Sequence, residues 1–271
     1  MSSYFRKSKF VFFGSPEFAT IVLEKLIGAG FIPAVVVCNP DRPVGRKKII
    51  TPPPTKILAR KNNVKIYQPE KLEIGNADFG IVASYAKIIP KDIIETFKLG
   101  VIGVHPSLLP RHRGASPIQS AILSGDEVTG VTLYLLDEKM DHGPILASRE
   151  FSISNFQFSI LQTKLAELAG DMLVKILPQF LKGEIKPQPQ NELKATYTKK
   201  FKTEDAFVDL EKDYPVVVER KVRALNPEPG VWTMQNGKRV KILEAEINPA
   251  AAGGKLKLKK IQLEGKRPQS V

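Results

Sequence analysis

Through the first two-thirds of the chain, short apolar runs alternate with amphipathic stretches. Residues 9–13 (KFVFF) read as a strand closed by Gly14. Pro16 then stands where a first helical turn tolerates it and opens an amphipathic helix to about residue 29. Residues 32–37 (IPAVVV) are the next strand. Residues 39–54 (NPDRPVGRKKIITPPP) carry too many prolines and bases for an element, which predicts an exposed loop. A helix over 54–61 follows, then strands at 64–67 and 79–84, a helix opened by Pro90, a buried strand at 101–104, a helix at 116–123 and a strand at 130–136. β-branched runs alternating with helices predict an α/β fold: an open, mostly parallel sheet of Rossmann type with helices on both faces. Its ligand should lie beyond the carboxyl ends of the strands.

A long helix over 158–181 shows apolar residues at 161, 165, 168, 172 and 176, a stripe that should pack on the sheet. From 183 to about 204 the composition turns polar and proline-spaced, as linkers do. This divides the chain into a first domain over 1–185, a linker over 186–206 and a small β module over 207–271. The module should hold a helix over 215–225 and about three strands between 230 and 263. There is no internal repeat.

With 271 residues, 42% hydrophobic and 25% charged, and a mean hydropathy of -0.13, the chain has the composition of a globular protein with a sizeable core. No run approaches the ~18 apolar residues of a membrane span, and the apolar run near the N-terminus is too short for a secretory signal. The single cysteine, Cys38, cannot form an internal disulfide, so a buried role and a reducing cytoplasm are expected; a monomer with no membrane partner is expected separately. Charge changes the picture more. The 41 Lys and Arg outnumber the 28 Asp and Glu for a net +13, and the excess is clustered. Nine bases (Arg42, Arg46, Lys47, Lys48, Lys56, Arg60, Lys61, Lys65 and Lys71) face one acid, Glu70; Lys255, Lys257, Lys259, Lys260, Lys266 and Arg267 face only Glu264. Each cluster alone reads as a solvated face. Two in different parts of the chain point to a polyanion, most simply nucleic acid.

All three histidines, His105, His112 and His142, fall within 38 residues of one another, inside the two richest motifs. GVHPSLLPRHRGASPIQ (103–119) begins at the carboxyl end of a strand; LLDEKMDHGPIL (135–146) follows another. An Asp beside a His orients it or raises its basicity, which makes His105 and Asp141 a candidate acid/base couple. No G-x-S-x-G elbow accompanies them, no His-x-x-x-His spacing suggests a metal, and GSPEF after the first strand is neither a P-loop nor G-x-G-x-x-G.

The run His105-Pro106-Ser107-Leu108-Leu109-Pro110, with Arg113-Gly114, Pro117-Ile118-Gln119, Gly125-Asp126, Thr129-Gly130-Val131-Thr132 and Asp141-His142-Gly143, resembles the folate-dependent formyltransferase family. Arg42, Arg46, Lys47 and Lys48 resemble the basic loop of the branch that acts on methionyl initiator tRNA. Residues 83–90 (ASYAKIIP) look like its folate-side loop, and 225–232 (LNPEPGVW) like the entry to its C-terminal OB-like domain. The resemblance implies a transferase moving a formyl group from 10-formyltetrahydrofolate to the α-amine of methionyl initiator tRNA for translation initiation, with no metal. By position, His105 would stabilise the oxyanion and Asp141 would orient it and move the proton. Ser107, Leu108, Leu109, Pro110, Tyr85, Ile88, Ile89, Pro90, Asp137 and Gly143 would line the folate site. Arg42, Arg46, Lys47, Lys48, Lys255, Lys257 and Lys259 would meet the tRNA.

Two departures stand out. Gly103 occupies the position where the family carries an Asn two residues before the His, and an oxyanion donor of that kind is worth about 2.7–4 kcal/mol. Either water or another donor fills the space, which the retained His105 and Asp141 favour, or the chain is a catalytically impaired tRNA-binding homologue. A third reading keeps the chemistry but takes a small-molecule amine. The residues after Asn226 are also too few for a five-stranded OB barrel, so a shortened, more open sheet is expected.

Overall fold

The computed structural model describes residues 8–45, 47–70, 76–153, 155–248 and 255–271. Arg46 and Lys71 of the basic cluster lie outside the described residues. The elements in chain order are β1 (Phe10–Phe13), α1 (Glu17–Gly28), β2 (Val35–Val37), β3 (Arg42–Val44), β4 (Ile49–Thr51), α2 (Pro54–Lys61), β5 (Lys65–Tyr67), β6 (Phe79–Ala83), α3 (Lys91–Ile94), β7 (Val101–His105), β8 (Arg113–Gly114), α4 (Pro117–Ser124), β9 (Val128–Leu135), β10 (Ile145–Ser152), α5 (Phe158–Leu181), β11 (Tyr197–Thr198), α6 (Pro215–Leu225), β12 (Trp232–Gln235), β13 (Lys238–Asn248), β14 (Lys255–Leu263) and β15 (Gln269–Ser270). They form two compact units. The first takes the described residues of Met1–Arg113, Gly130–Phe151 and Gln162–Thr196; the second takes those of Gly114–Thr129, Ser152–Leu161 and Tyr197–Val271.

The first unit is built on a seven-stranded sheet of order β10-β9-β7-β6-β1-β2-β5. β1 pairs in parallel with β2 and β6, β2 with β5 and β6 with β7, whereas β9 runs antiparallel to β7. The mostly parallel sheet follows from strands that are apolar on both faces: every residue of β1 and of β7 is buried. Phe10 stacks on Phe79 at 5.1 Å between ring centres, and Phe13 meets Phe97 edge-on at 6.3 Å. In α5 the buried residues are Leu161, Leu165, Ala166, Ala169, Gly170, Met172, Leu173, Ile176, Leu177 and Phe180; Leu168 is only half-buried, so the stripe is turned slightly from the expected one.

Two expectations need correction. Residues 39–54 are not all loop, because β3 and β4 pair antiparallel within them (Arg42 opposite Thr51, Val44 opposite Ile49). A two-stranded ribbon is all edge, so Pro43 costs it no central hydrogen bond, and Gly45 and Lys48 take positive φ in the turn (71° and 48°). β10 was not foreseen: it is the edge strand of the sheet, largely half-buried or exposed, and ILASREFS lacks the apolar density of the inner strands.

In the second unit β12-β13-β14-β15 form a four-stranded antiparallel sheet: three strands lie between 230 and 263, as expected, and β15 adds a short one after them. α6 packs against β13 and β14, burying Val218, Val222, Ala224 and Leu225 beside Val240, Ile242 and Ile261. Trp232 anchors the first strand. Its indole N–H donates to Thr203 O at 2.9 Å, Phe207 lies 4.8 Å from its ring, and the Arg239 guanidinium sits 4.3 Å above it.

Candidate active site

His105 is the last residue of β7, at the carboxyl edge where an open α/β sheet presents its chemistry, and it is only 5% exposed. The loop after it is bracketed by its own side chains. The Ser107 hydroxyl donates to Arg111 O at 2.6 Å, and Thr132 Oγ1 on β9 donates to Ser107 O (2.7 Å) and accepts from Leu109 N (3.0 Å). Ser107 is fully buried and its hydroxyl is spent inside the loop. The loop turns at His112, with φ 58°, so that the His112 carbonyl accepts from His105 Nε2 at 2.8 Å. Because a carbonyl only accepts, Nε2 carries the hydrogen. Nδ1 then faces Asp141 Oδ2 at 3.5 Å.

Asp141 also has positive φ (50°), and the fold holds it there from two sides. Gln190 Nε2 donates to Asp141 O (2.9 Å) and to Gly143 O (2.8 Å), and Tyr134 Oη donates to Asp141 Oδ1 at 2.7 Å. Gly143 is needed for close approach, since a Cβ there would lie 1.8 Å from Leu135 O. Around this pair runs a charged chain. His142 Nδ1 meets Asp137 Oδ2 at 2.5 Å, and its Nε2 lies 3.5 Å from Glu192 Oε1. Glu192 accepts from both terminal nitrogens of Arg113 (2.6 and 3.0 Å), whose guanidinium also reaches Gln190 Oε1 (2.7 and 3.1 Å). Arg113 is 0% exposed. Its hydrogen bonds hold the Glu192 carboxyl below the usual range. Burial, reinforced by the negative Asp141, pushes the Tyr134 phenol well above its ordinary value, so it is a donor at every working pH.

The sequence-predicted residues separate accordingly. His105 and Asp141 come together, with Asp137 and Gly143 in the same loop as Asp141, while Ser107 and Leu109 are tied to Thr132 on β9. Of the 85–90 loop, Tyr85 packs 5.7 Å from Phe13 and its phenol is raised by burial; Ile89 joins the core; Ile88 is 86% exposed and Pro90 precedes α3. Tyr134, Gln190 and Glu192 were missed. Tyr134 reads as one more apolar position of GVTLYLL, and the other two sit in a polar stretch that reads as linker. Gly103 is buried directly opposite Tyr134 on the paired strand. The space above it is neither empty nor wet: a Cβ on Gly103 would lie 2.3 Å from Tyr134 Cε1 and 2.5 Å from Cζ.

Of the bases assigned to tRNA, Arg42, Lys47 and Lys48 are exposed on the β3–β4 ribbon. Lys56 is committed to Asp41 at 2.7 Å and to Gln68, and the hydrogen bonds that Lys56 and Gln68 each give to Asp41 hold its carboxyl low. In the second unit Lys255 and Lys257 are exposed, whereas Lys259 pairs with Glu246 (2.9 Å) and Lys260 with Glu244 (3.4 Å). Among the described residues no group of three or more His, Cys, Asp or Glu is arranged to hold a metal, and no helix is long and apolar enough to cross a membrane.

Residues 8–177 match the formyl transferase family and residues 200–256 the formyl transferase C-terminal domain. The chain is 40% identical over 252 residues to the methionyl-tRNA formyltransferase of Chloroflexus aurantiacus, covering 89% of this chain and 81% of that one. It is 37% identical to the enzyme of that name from Coxiella burnetii, covering 96% and 92%. Among solved structures it resembles an N-formyltransferase from Helicobacter canadensis bound to folinic acid and dTDP-3-aminofucose, at TM-score 0.66 and 19% identity, over 89% of this chain and 88% of that one. With the His105–Asp141 pair at the sheet edge and matches over both parts of the sequence, the chain belongs to the formyl transferase family.

Proposed function

We propose that the chain transfers a formyl group from 10-formyltetrahydrofolate to the α-amine of methionyl initiator tRNA, the step that marks this tRNA for translation initiation in the cytoplasm. The methionyl-tRNA formyltransferases named above carry that activity in their names, and the observation that carries the reading is the pairing of buried His105 with Asp141 at the carboxyl edge of the sheet.

The amine nitrogen bonds to the formyl carbon, the bond from that carbon to N10 breaks, the amine gives up one proton and N10 gains one. Such a reaction needs an oxyanion donor and a proton carrier. His105 serves the first need once it has gained a proton: Nε2 stays on His112 O, so Nδ1, 3.5 Å from the Asp141 carboxylate, is the nitrogen that takes up the proton and then donates to the oxyanion. Asp141 orients the ring and moves the amine proton through water. Leu108, Leu109, Pro110, Tyr85, Ile88 and Gly143 wall the folate site, and Asp137, held by His142, closes it. The ribbon bases and the exposed Lys255 and Lys257 meet tRNA phosphates. Residues 1–185 would hold the chemistry, braced by Gln190 and Glu192 of the connecting stretch 186–206, and 207–271 would be the tRNA module. A tRNA acceptor is favoured over a small amine by the exposed basic ribbon together with the C-terminal domain.

The test is transfer of labelled formyl from 10-formyltetrahydrofolate to methionine-charged initiator tRNA. The protein should turn over, and Asp141→Ala should lose about 100-fold or more in kcat. No transfer by the unaltered protein, or equal transfer to a small amine without tRNA, refutes the assignment.

A further inference from the structure

We infer that Tyr134 is a positioning residue of this active site: its ring fills the volume that glycine leaves at position 103, and its hydroxyl holds the Asp141 carboxylate toward His105. The inference rests on the proposed function for its meaning and on three geometric facts of its own. First, β7 and β9 pair antiparallel in a register that sets Gly103 directly opposite Tyr134. Second, the ring lies where any side chain at 103 would begin, 2.3 Å and 2.5 Å from the Cβ position, with Leu136 Cδ1 at 2.8 Å. Glycine and tyrosine are therefore a matched pair, since real Cβ atoms do not approach ring carbons below about 3.4 Å without displacing them. Third, the hydroxyl ends on Asp141 Oδ1 at 2.7 Å, while Oδ2 of the same carboxylate faces His105 Nδ1.

Packing alone does not account for this arrangement. A phenylalanine would fill the space equally well, and a polar atom is kept in a site only 5% exposed because it has a charged acceptor there. The charges that bear on the phenol come from several elements: Asp141 and Asp137 on the loop after β9, and Arg113 at β8. Asp141 needs such a hold because its backbone sits at positive φ, where a non-glycine residue is unfavourable, and Gln190 fixes only the carbonyl. The tyrosine fixes the carboxylate.

The experiment compares the unaltered protein with Tyr134→Phe, Gly103→Asn and the exchange Gly103→Asn/Tyr134→Met, whose flexible thioether vacates the ring's volume. In the formyl-transfer assay Tyr134→Phe should lower kcat about 5- to 30-fold with KM for tRNA and folate within about twofold, the pattern of a lost orienting hydrogen bond. Gly103→Asn should be inactive, and the exchange should recover activity relative to it. An unchanged kcat in Tyr134→Phe, or KM rising in step with a fall in stability, overturns the inference. A second readout, the 15N resonances of the His105 imidazole, needs no turnover. They should move on Tyr134→Phe, because the carboxylate facing Nδ1 has been released, and unmoved resonances overturn the inference even if the protein does not transfer formyl. An inactive parent whose His105 resonances respond to Tyr134→Phe overturns the assigned reaction and leaves the coupling established.

Discussion

A single methyl group at position 103 tests the packing that replaces the missing side chain. In Gly103→Ala the new Cβ would stand 2.3 Å from Tyr134 Cε1 and 2.8 Å from Leu136 Cδ1, so the ring must retreat by more than about 1 Å to reach ordinary contact. It cannot retreat for nothing. The residue is buried in a central strand, and the ring is tethered by the 2.7 Å hydrogen bond to Asp141, which such a movement breaks. Overpacking of this kind costs about 1–3 kcal/mol, and a hydrogen bond to a charged partner is worth about 1.5–3 kcal/mol, so the substitution should destabilise by roughly 2.5–6 kcal/mol. For a protein of this size that is a fall in Tm on the order of 10 °C. Urea and thermal unfolding of Gly103→Ala, Tyr134→Ala and the double variant form a cycle in which the two losses should overlap by most of the Gly103→Ala cost, because once the ring is gone the methyl group has room. If Gly103→Ala unfolds at the parent's Tm, or costs as much in the Tyr134→Ala background, the ring does not occupy that space and the argument fails.

Neutralising the ribbon (Arg42→Gln/Lys47→Gln/Lys48→Gln) should raise KM for tRNA, leave KM for the folate substrate unchanged and flatten the salt dependence of tRNA binding by up to about 2 in log-log slope; equal weakening of both substrates would mean that the ribbon is structural. Glu192 supplies an acid-side prediction. Its carboxyl is held low by Arg113, so its contribution to stability is present above the ordinary carboxylate range, near pH ~4.3, and is lost as pH falls through the lower folded value. The urea midpoint of the parent should therefore exceed that of Glu192→Gln at pH 7, with the gap closing as pH falls below about 4; a gap that does not change with pH removes the Arg113–Glu192 bond from the account.

The sequence alone determined the α/β class, most of the inner strands, α2, α5 and α6 to the residue, and the two motifs carrying His105 and Asp141. Those features are local. β-branched runs, helix-opening prolines and dense loops after strands are written in neighbouring residues, and they read correctly wherever neighbours decide the conformation. The tertiary structure decided everything that depends on which distant residues meet. Gly103 looked like a vacancy because nothing in residues 101–105 names its partner; the antiparallel register of β7 against β9 brings in Tyr134 and closes it. Gln190 and Glu192 looked like linker because their polarity is the same whether they face water or, as here, hold the Asp141 loop and the buried Arg113. The basic stretch looked like a loop because Pro43 argues against a strand, and only cross-strand pairing, which sequence spacing does not display, turned it into a ribbon. Burial tells the same story for charge: Lys56, Lys47 and Lys48 are alike in sequence, but Lys56 is locked on Asp41 while the other two stand exposed.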